Sequence, residues 1–292
     1  MRRPASVATV AGVLALVYVL WGSTSPAMKI AVSSVPPFWM AAIRFTCAGG
    51  ILWGWCRARG VALPRASEWR WAGLTGIVLL VVGNATYAWT LQYLPSGAGS
   101  LVFALSPLWM ALFAFAMHRE RLSALAGAGI VLGLAGMVFL FSPAGGQGFP
   151  LWPAVIALGT SLAWGFGSIL QRRLRGSDLV QTSAMQMLVA AAALVLLALV
   201  FREPLKTSEF VPSAVGAIAY LVVLGSLVGF SAYLWLLNNV PTTLASTYAY
   251  VNPVVALAIG IGLLHEPFSL RLVIGATVIL VGVALMVVAP KR

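Results

Sequence analysis

The segment YAYVNPVVALAIGIGLLHE, Tyr248 to Glu266, has a counterpart 146 residues earlier in VFALSPLWMALFAFAMHRE, Val102 to Glu120. Each copy carries a helix-breaking Pro preceded by a small polar residue, then a greasy run, then His and Glu. At the same constant offset Tyr87 matches Tyr233, Trp89 matches Trp235, Pro95 matches Pro241, Pro107 matches Pro253 and Glu120 matches Glu266. Gly and Leu coincide by chance in so biased a composition. Trp, Pro and Glu are scarcer and do not coincide together without a gap, so the chain reads as a tandem duplication.

Of the 292 residues 61% are apolar and 8% charged, and the mean hydropathy is +0.98, which leaves too little polar surface to cover a soluble globule. Apolar runs recur that are long enough to cross a hydrocarbon core of about 30 Å as helices. The predicted spans lie near 8–31, 38–56, 71–92, 97–117, 124–142, 151–170, 179–201, 213–236, 244–263 and 272–289. The fold expected is therefore all-α and integral to the membrane, with ten transmembrane helices. The start of the chain, MRR before an apolar run, resembles a signal peptide, but its Trp21-Gly22 recurs as Trp164-Gly165, which argues for a retained helix.

The net charge of +12 invites a nucleic-acid reading that the placement of the charges removes. Assigned to alternate loops, thirteen Lys and Arg fall on one side (Arg2 and Arg3 through Lys291 and Arg292) and three on the other, Arg202, Lys206 and Arg271. That asymmetry is the positive-inside signature and places both termini in the cytoplasm. Five helices per copy is an odd number, so the second copy enters the membrane from the opposite side. The expected plan is an inverted 5+5 repeat, with halves at 1–143 and 150–292. Inverted repeats let a secondary transporter reach two similar end states around a midplane site.

The residues also carry a resemblance. LVYVLWGSTSPAMKIAV (Leu16 to Val32), PPFWMAAIRF (Pro36 to Phe45) and VPTTLASTYAYVNPVVALAIG (Val240 to Gly260), with the Glu closing each half's fourth helix, resemble the drug/metabolite transporter superfamily with its paired EamA-type domains. The resemblance implies a bacterial inner-membrane exporter of amino acids, related metabolites or amphiphilic compounds. It leaves the substrate open.

Physical chemistry selects the candidate site. Trp21, Gly22, Ser23, Thr24 and Ser25 in the first span, and Trp164, Gly165 and Ser168 in the sixth, combine helix-loosening residues, hydroxyls and flat apolar walls. With Asn84, Tyr87, Tyr233, Tyr248 and Asn252 they form a set suited to an amphiphilic solute, with packing as the competing role. Pro107 and Pro253 each remove a backbone donor in mid-span and are expected to kink and hinge their helices. Ser106 and Asn252, just before them, either satisfy freed backbone groups or face a substrate. Arg44 and Lys29 are the two cations outside loops. Lys29 is expected to snorkel, and Arg44, lying deeper, to serve a pathway or a structural role, orienting an anionic group in the first case. The glycine rows Gly129-x3-Gly133 and Gly225-x3-Gly229 read as packing with no site.

All six acids fall at span ends or in loops, so a buried proton relay has no obvious carrier. Glu120 and Glu266 remain candidates for proton coupling, against a bland role of pairing with Arg119 or Arg121 and with Arg271. No lysine follows a glycine, which excludes a Walker-type phosphate loop, and no G-x-S-x-G, aspartyl pair or zinc-ligand spacing supports an enzyme. Cys47 and Cys56 support neither a disulfide framework nor a metal, and no cofactor is expected. The reading is a secondary transporter working by alternating access in the lipid bilayer on a small-molecule substrate, as a monomer or homodimer, with no nucleic-acid partner. A passive facilitator or channel, a membrane scaffold subunit and, last, an intramembrane enzyme are the alternatives.

Overall fold

The computed structural model describes residues 6–118, 123–142, 151–174, 177–245 and 247–288. Among these every regular element is helical. Seven helical stretches are long and apolar enough to cross a membrane: Val7–Val32, Ala66–Thr90, Ser96–Met117, Ala124–Phe141, Leu151–Leu174, Leu179–Val200 and Pro212–Asn239. Tyr248–Gly262 and Leu270–Leu285 are shorter apolar helices. Pro37–Ala58, with 22 residues, has the length to cross but carries Arg44 and Arg57, which dilute its apolar character.

Local chemistry sets where these helices start. Ser6, Ser123 and Asp178 are N-caps whose side chains accept from the backbone N–H of Thr9, Ala126 and Gln181. Pro37 and Pro212 occupy first-turn positions, where the missing N–H would have had no helical partner. Side chains that point outward in mid-helix are apolar, as at Val131, Val138, Leu196 and Leu199, which suits a lipid surroundings.

Several expected single spans are interrupted. The first breaks between Val7–Gly22 and Thr24–Val32. Pro26 removes the donor that Gly22's carbonyl would use, and the Ser23 hydroxyl donates to the carbonyls of Val19 and Leu20 at 2.9 Å each. The fourth breaks between Ser96–Phe103 and Ser106–His118, which corrects the expected mid-helix kink at Pro107: this proline sits in the first turn of a restarted helix. The carbonyl it leaves free, that of Phe103, accepts from the Ser106 hydroxyl instead. Pro253 does lie inside its helix, Tyr248–Gly262. With its amide oriented by its neighbours, Asn252 donates to the carbonyls of Tyr18 and Tyr248 at 3.1 Å each.

Two π-helical segments, Ile77–Ala85 and Leu221–Phe230, lie inside longer helices. Shifted by the repeat offset of 146, the first falls on 223–231 and so overlaps the second. The most extensive helix pairs are Pro37–Ala58 with Leu179–Val200 and Ala124–Phe141 with Leu270–Val288, each joining one half of the chain to the other. Glycine makes the second pair close: a Cβ on Gly282 would lie 2.5 Å from the Gly133 nitrogen and 2.7 Å from the Gly129 carbonyl oxygen. The expected packing role of Gly129 and Gly133 is thus seen directly.

Candidate functional site

A cavity with about 650 Å³ of space not filled by protein atoms, its mouth included, lies where the interrupted helices converge. The break at Ser23 brings Trp21, Thr24 and Ser25 to it, and Pro37–Ala58 contributes Arg44 and Phe45. One π segment presents Leu80 and Asn84, the other Gly225, Ser226 and Phe230. A π turn widens the helix and redirects its side chains, which is why such segments gather at functional sites.

One wall is aromatic. The Trp21 ring lies 5.5 Å from Trp164 and 5.3 Å from Tyr248, both edge-on, and Phe103 lies 5.3 Å from Trp164. Hydrogen bonds fix these rings: Trp164 Nε1 donates to the Tyr248 hydroxyl at 3.0 Å, and Trp21 Nε1 to the Gly225 carbonyl at 3.3 Å. The Tyr87 hydroxyl pairs with that of Ser25 at 2.9 Å. Edge-to-face rings with satisfied polar tips make a rigid apolar surface at little cost in unpaired groups.

The polar part of the lining centres on Arg44. The Arg44 side chain is 4% exposed. Its Nε donates to Ser226 Oγ at 2.8 Å and its Nη1 to Asn84 Oδ1 at 3.2 Å, with Met28 Sδ at 3.8 Å. Its guanidinium carbon stands 5.0 Å from the centre of the Phe45 ring. No carboxylate pairs with it among the described residues.

Of the sequence candidates, Trp21, Thr24, Arg44, Asn84, Tyr87, Trp164, Tyr248, Asn252 and Pro253 line this cavity. Ser168, Tyr233 and Pro107 are not among the lining residues. Tyr233 is completely buried behind the aromatic wall, its ring 4.7 Å from Trp21, and shares a 2.7 Å hydrogen bond with Ser168. These two residues brace the wall. The glycine row at Gly225 and Gly229 packs closely against other helices as expected, and Gly225 also lines the cavity: a Cβ on Gly229 would lie 2.6 Å from Trp21 Nε1, and one on Gly225 would lie 3.0 Å from Arg44 Nη2. Gly225 and Ser226 went unrecognised because small residues in an apolar span look like any helix contact. No local signal marks them, since Ser226 reaches the site through Arg44, 182 positions away.

Lys29 and Arg44 have different hydrogen-bond partners. Lys29 Nζ donates to the carbonyls of Leu91 and Leu94, the latter at 3.0 Å, so it caps the end of a neighbouring helix rather than snorkelling freely. Glu266 accepts from the Ser96 nitrogen at 2.6 Å, the Ser96 hydroxyl at 2.9 Å and the Gly97 nitrogen at 3.3 Å, in place of the expected pairing with Arg271. Arg271 reaches the Phe139 carbonyl at 2.8 Å. Glu120 lies outside the described residues. Among the described residues no group of three or more His, Cys, Asp or Glu could hold a metal.

Membrane-length apolar helices folded around a cavity lined by both aromatic and polar side chains define a polytopic membrane protein. The chain belongs to the EamA-like transporter family, whose model matches residues 9–142 and again 151–288, and it is a membrane transporter. It is 37% identical over 263 residues to a protein of Escherichia coli K12 named "Uncharacterized inner membrane transporter YedA", covering 88% of this chain and 84% of that one. "Uncharacterized transporter YvbV" of Bacillus subtilis is 26% identical over 284 residues, covering 94% and 90%. One solved crystal structure aligns with a TM-score of 0.70 at 25% identity, covering 96% of both chains.

Proposed function

We propose that the chain is an inner-membrane secondary transporter that moves small amphiphilic solutes by alternating access of this cavity, in the direction of export. The observation that carries the reading is that both family-matched halves build the site: Arg44, Asn84, Tyr87 and Phe103 come from one, Trp164, Ser226, Tyr248 and Asn252 from the other. A site shared between halves changes its access when the halves rock. The overlapping π segments and the constant offset of the repeat support ten helices arranged as two inverted sets of five. The asymmetry of basic residues supports cytoplasmic termini. On that topology Glu203 and Glu266 lie at the outer face, each in the second half and each bonded to a helix start in the first, at Phe38 and at Ser96. Contacts of that kind have to open when the site turns outward.

Purified protein in liposomes, loaded with unlabelled amino acids or a lipophilic cation and diluted into the labelled compound, tests the reading. Saturable uptake stimulated by the internal compound is expected of a carrier. Flux that rises linearly with concentration and ignores the internal compound would make the protein a channel. Repeating the assay with the proton gradient collapsed separates proton-coupled export from exchange. The exchange reading draws on one observation: among the described residues no carboxylate lines the cavity.

A further inference from the structure

We propose that the cavity takes an organic anion, a carboxylate or comparable monoanionic group carried on an aromatic or apolar body, and that Arg44 Nη2 and the Asn84 amide nitrogen receive the charged end. The inference rests on the transporter reading above and narrows it to a substrate class.

The described carboxylates are all engaged elsewhere, and in the same way. Glu68 accepts from the Arg65 nitrogen, Asp178 from Gln181, Glu203 from Phe38 and Trp39, Glu209 from Lys206, and Glu266 from Ser96 and Gly97. Each sits at a helix N-terminus, where the exposed N–H groups and the helix dipole hold a negative charge. None is left to neutralise Arg44. A guanidinium stays charged in any protein environment, and a buried charge without a partner is costly unless something else supplies one.

The donors of Arg44 point to what that is. Nε and Nη1 are occupied by Ser226, Asn84 and Met28, and these contacts hold the plane of the group. Nη2 makes no hydrogen bond to a described residue. Glycine at 225 keeps its approach clear, since a side chain there would begin 3.0 Å from Nη2. Asn84 spends its carbonyl on Arg44, which leaves its amide N–H groups at the cavity surface with no hydrogen bond to a described residue. Two adjacent donors without acceptors, one of them cationic, fit one carboxylate. The same cavity is lined by Trp21, Phe103, Trp164 and Tyr248, which offer aromatic surface to an apolar body. A cationic amphiphile would enjoy the rings and be repelled by Arg44.

Four probes differing in charge and ring test this in protein reconstituted in lipid nanodiscs, by calorimetric binding at neutral pH: phenylacetate, phenethylammonium, 2-phenylethanol and acetate. Phenylacetate is expected to bind best, at least about tenfold more tightly than phenethylammonium. Asn84→Asp installs an internal counter-ion of nearly the same shape. It is expected to cost phenylacetate at least about tenfold in affinity, while the empty protein unfolds at the same or a higher temperature. Arg44→Gln is expected to erase the preference for the anion, and Arg44→Lys to keep it in weakened form. Absence of phenylacetate binding, preference for the cation, or unchanged phenylacetate affinity in Asn84→Asp would each overturn the proposal. Counterflow of phenethylammonium or 2-phenylethanol without phenylacetate would sink the anion and leave the carrier standing. Phenylacetate binding that follows Arg44, without counterflow, would leave the anion site standing and sink the carrier.

Discussion

Glu266 closes the start of a helix in the opposite half of the chain: its carboxylate accepts from Ser96 through both backbone and hydroxyl, at 2.6 and 2.9 Å, and from Gly97 at 3.3 Å. Ser96 opens the helix Ser96–Phe103 directly after Pro95, so the acid satisfies N–H groups that no helical carbonyl can reach. Gly260 leaves room for it, because a Cβ there would collide with Glu266 Oε2. A cap of this kind contributes stability of about 1 kcal/mol. Glu266→Gln is therefore expected to lower the thermal unfolding temperature, and Gly260→Ala to do the same through the same contact. Transport measured across pH should follow the same profile in both variants as in the parent protein. A pH profile that goes flat in Glu266→Gln alone would assign the residue to coupling instead.

Glu203 performs the matching task for Pro37–Ala58, accepting from the nitrogens of Phe38 and Trp39 at 3.0 and 3.2 Å. Partial burial pushes its carboxyl above the ordinary value of 4.5, and the two N–H groups oppose that rise without cancelling it. The folded state therefore holds this proton more tightly than the unfolded chain. The resulting stability is fully present below the ordinary carboxylate value and fades as pH rises through the folded one. Thermal unfolding followed across that window is expected to show a decline with rising pH that Glu203→Gln lacks. A decline of equal slope in both proteins would move its origin to another group.

Gly229 stands against Trp21, with a would-be Cβ 2.6 Å from the indole nitrogen. That nitrogen is what ties Trp21 to the Gly225 carbonyl. Gly229→Ala should therefore turn the indole off the aromatic wall and lower solute affinity on the order of tenfold or more, the effect of about 1.4 kcal/mol. Gly216, in the same stretch of chain, has nothing within 4 Å of its would-be Cβ, and Gly216→Ala is the control expected to bind normally. Equal loss in both would attribute the effect to helix propensity.

Which parts of this architecture were legible follows from how each part is encoded. Spans show in the sequence because lipid demands long apolar runs, and among the described residues seven long apolar helices and two shorter ones lie in the predicted segments. Arg44 showed because a charge in such a run is rare. The interruptions at Ser23 and at Ala104–Leu105 showed only as loosening or kinking residues nearby, not as full breaks, since Gly, Ser and Pro are as frequent at simple close contacts as at interruptions. The π segments have no composition of their own; they arise where packing against other helices outweighs one turn of regular hydrogen bonds. Ser226 joins the candidate site through its hydrogen bond with Arg44, a relation between residues 182 positions apart. Tyr233 and Ser168 have residue types that suit a site, and tertiary packing sets them behind the cavity lining.

That second layer yields a separable prediction. The Tyr233 ring is completely buried among Trp21, Trp164 and Tyr248, and its hydroxyl is held by Ser168, which also donates to the Trp164 carbonyl at 2.8 Å. Ser168→Ala leaves a buried phenol without that partner, a loss of about 1–3 kcal/mol. Because Ser168 does not line the cavity, the loss should appear as a lower unfolding temperature with solute affinity changed far less than by Trp164→Ala. Tyr233→Phe removes the hydroxyl together with its need for a partner. Combined with Ser168→Ala it should recover much of the stability, since an empty pair of apolar groups is less costly than a stranded polar one. Unfolding of the two single variants and the double variant, with binding measured on each, checks the cycle; additive losses would mean that the two hydroxyls do not depend on one another.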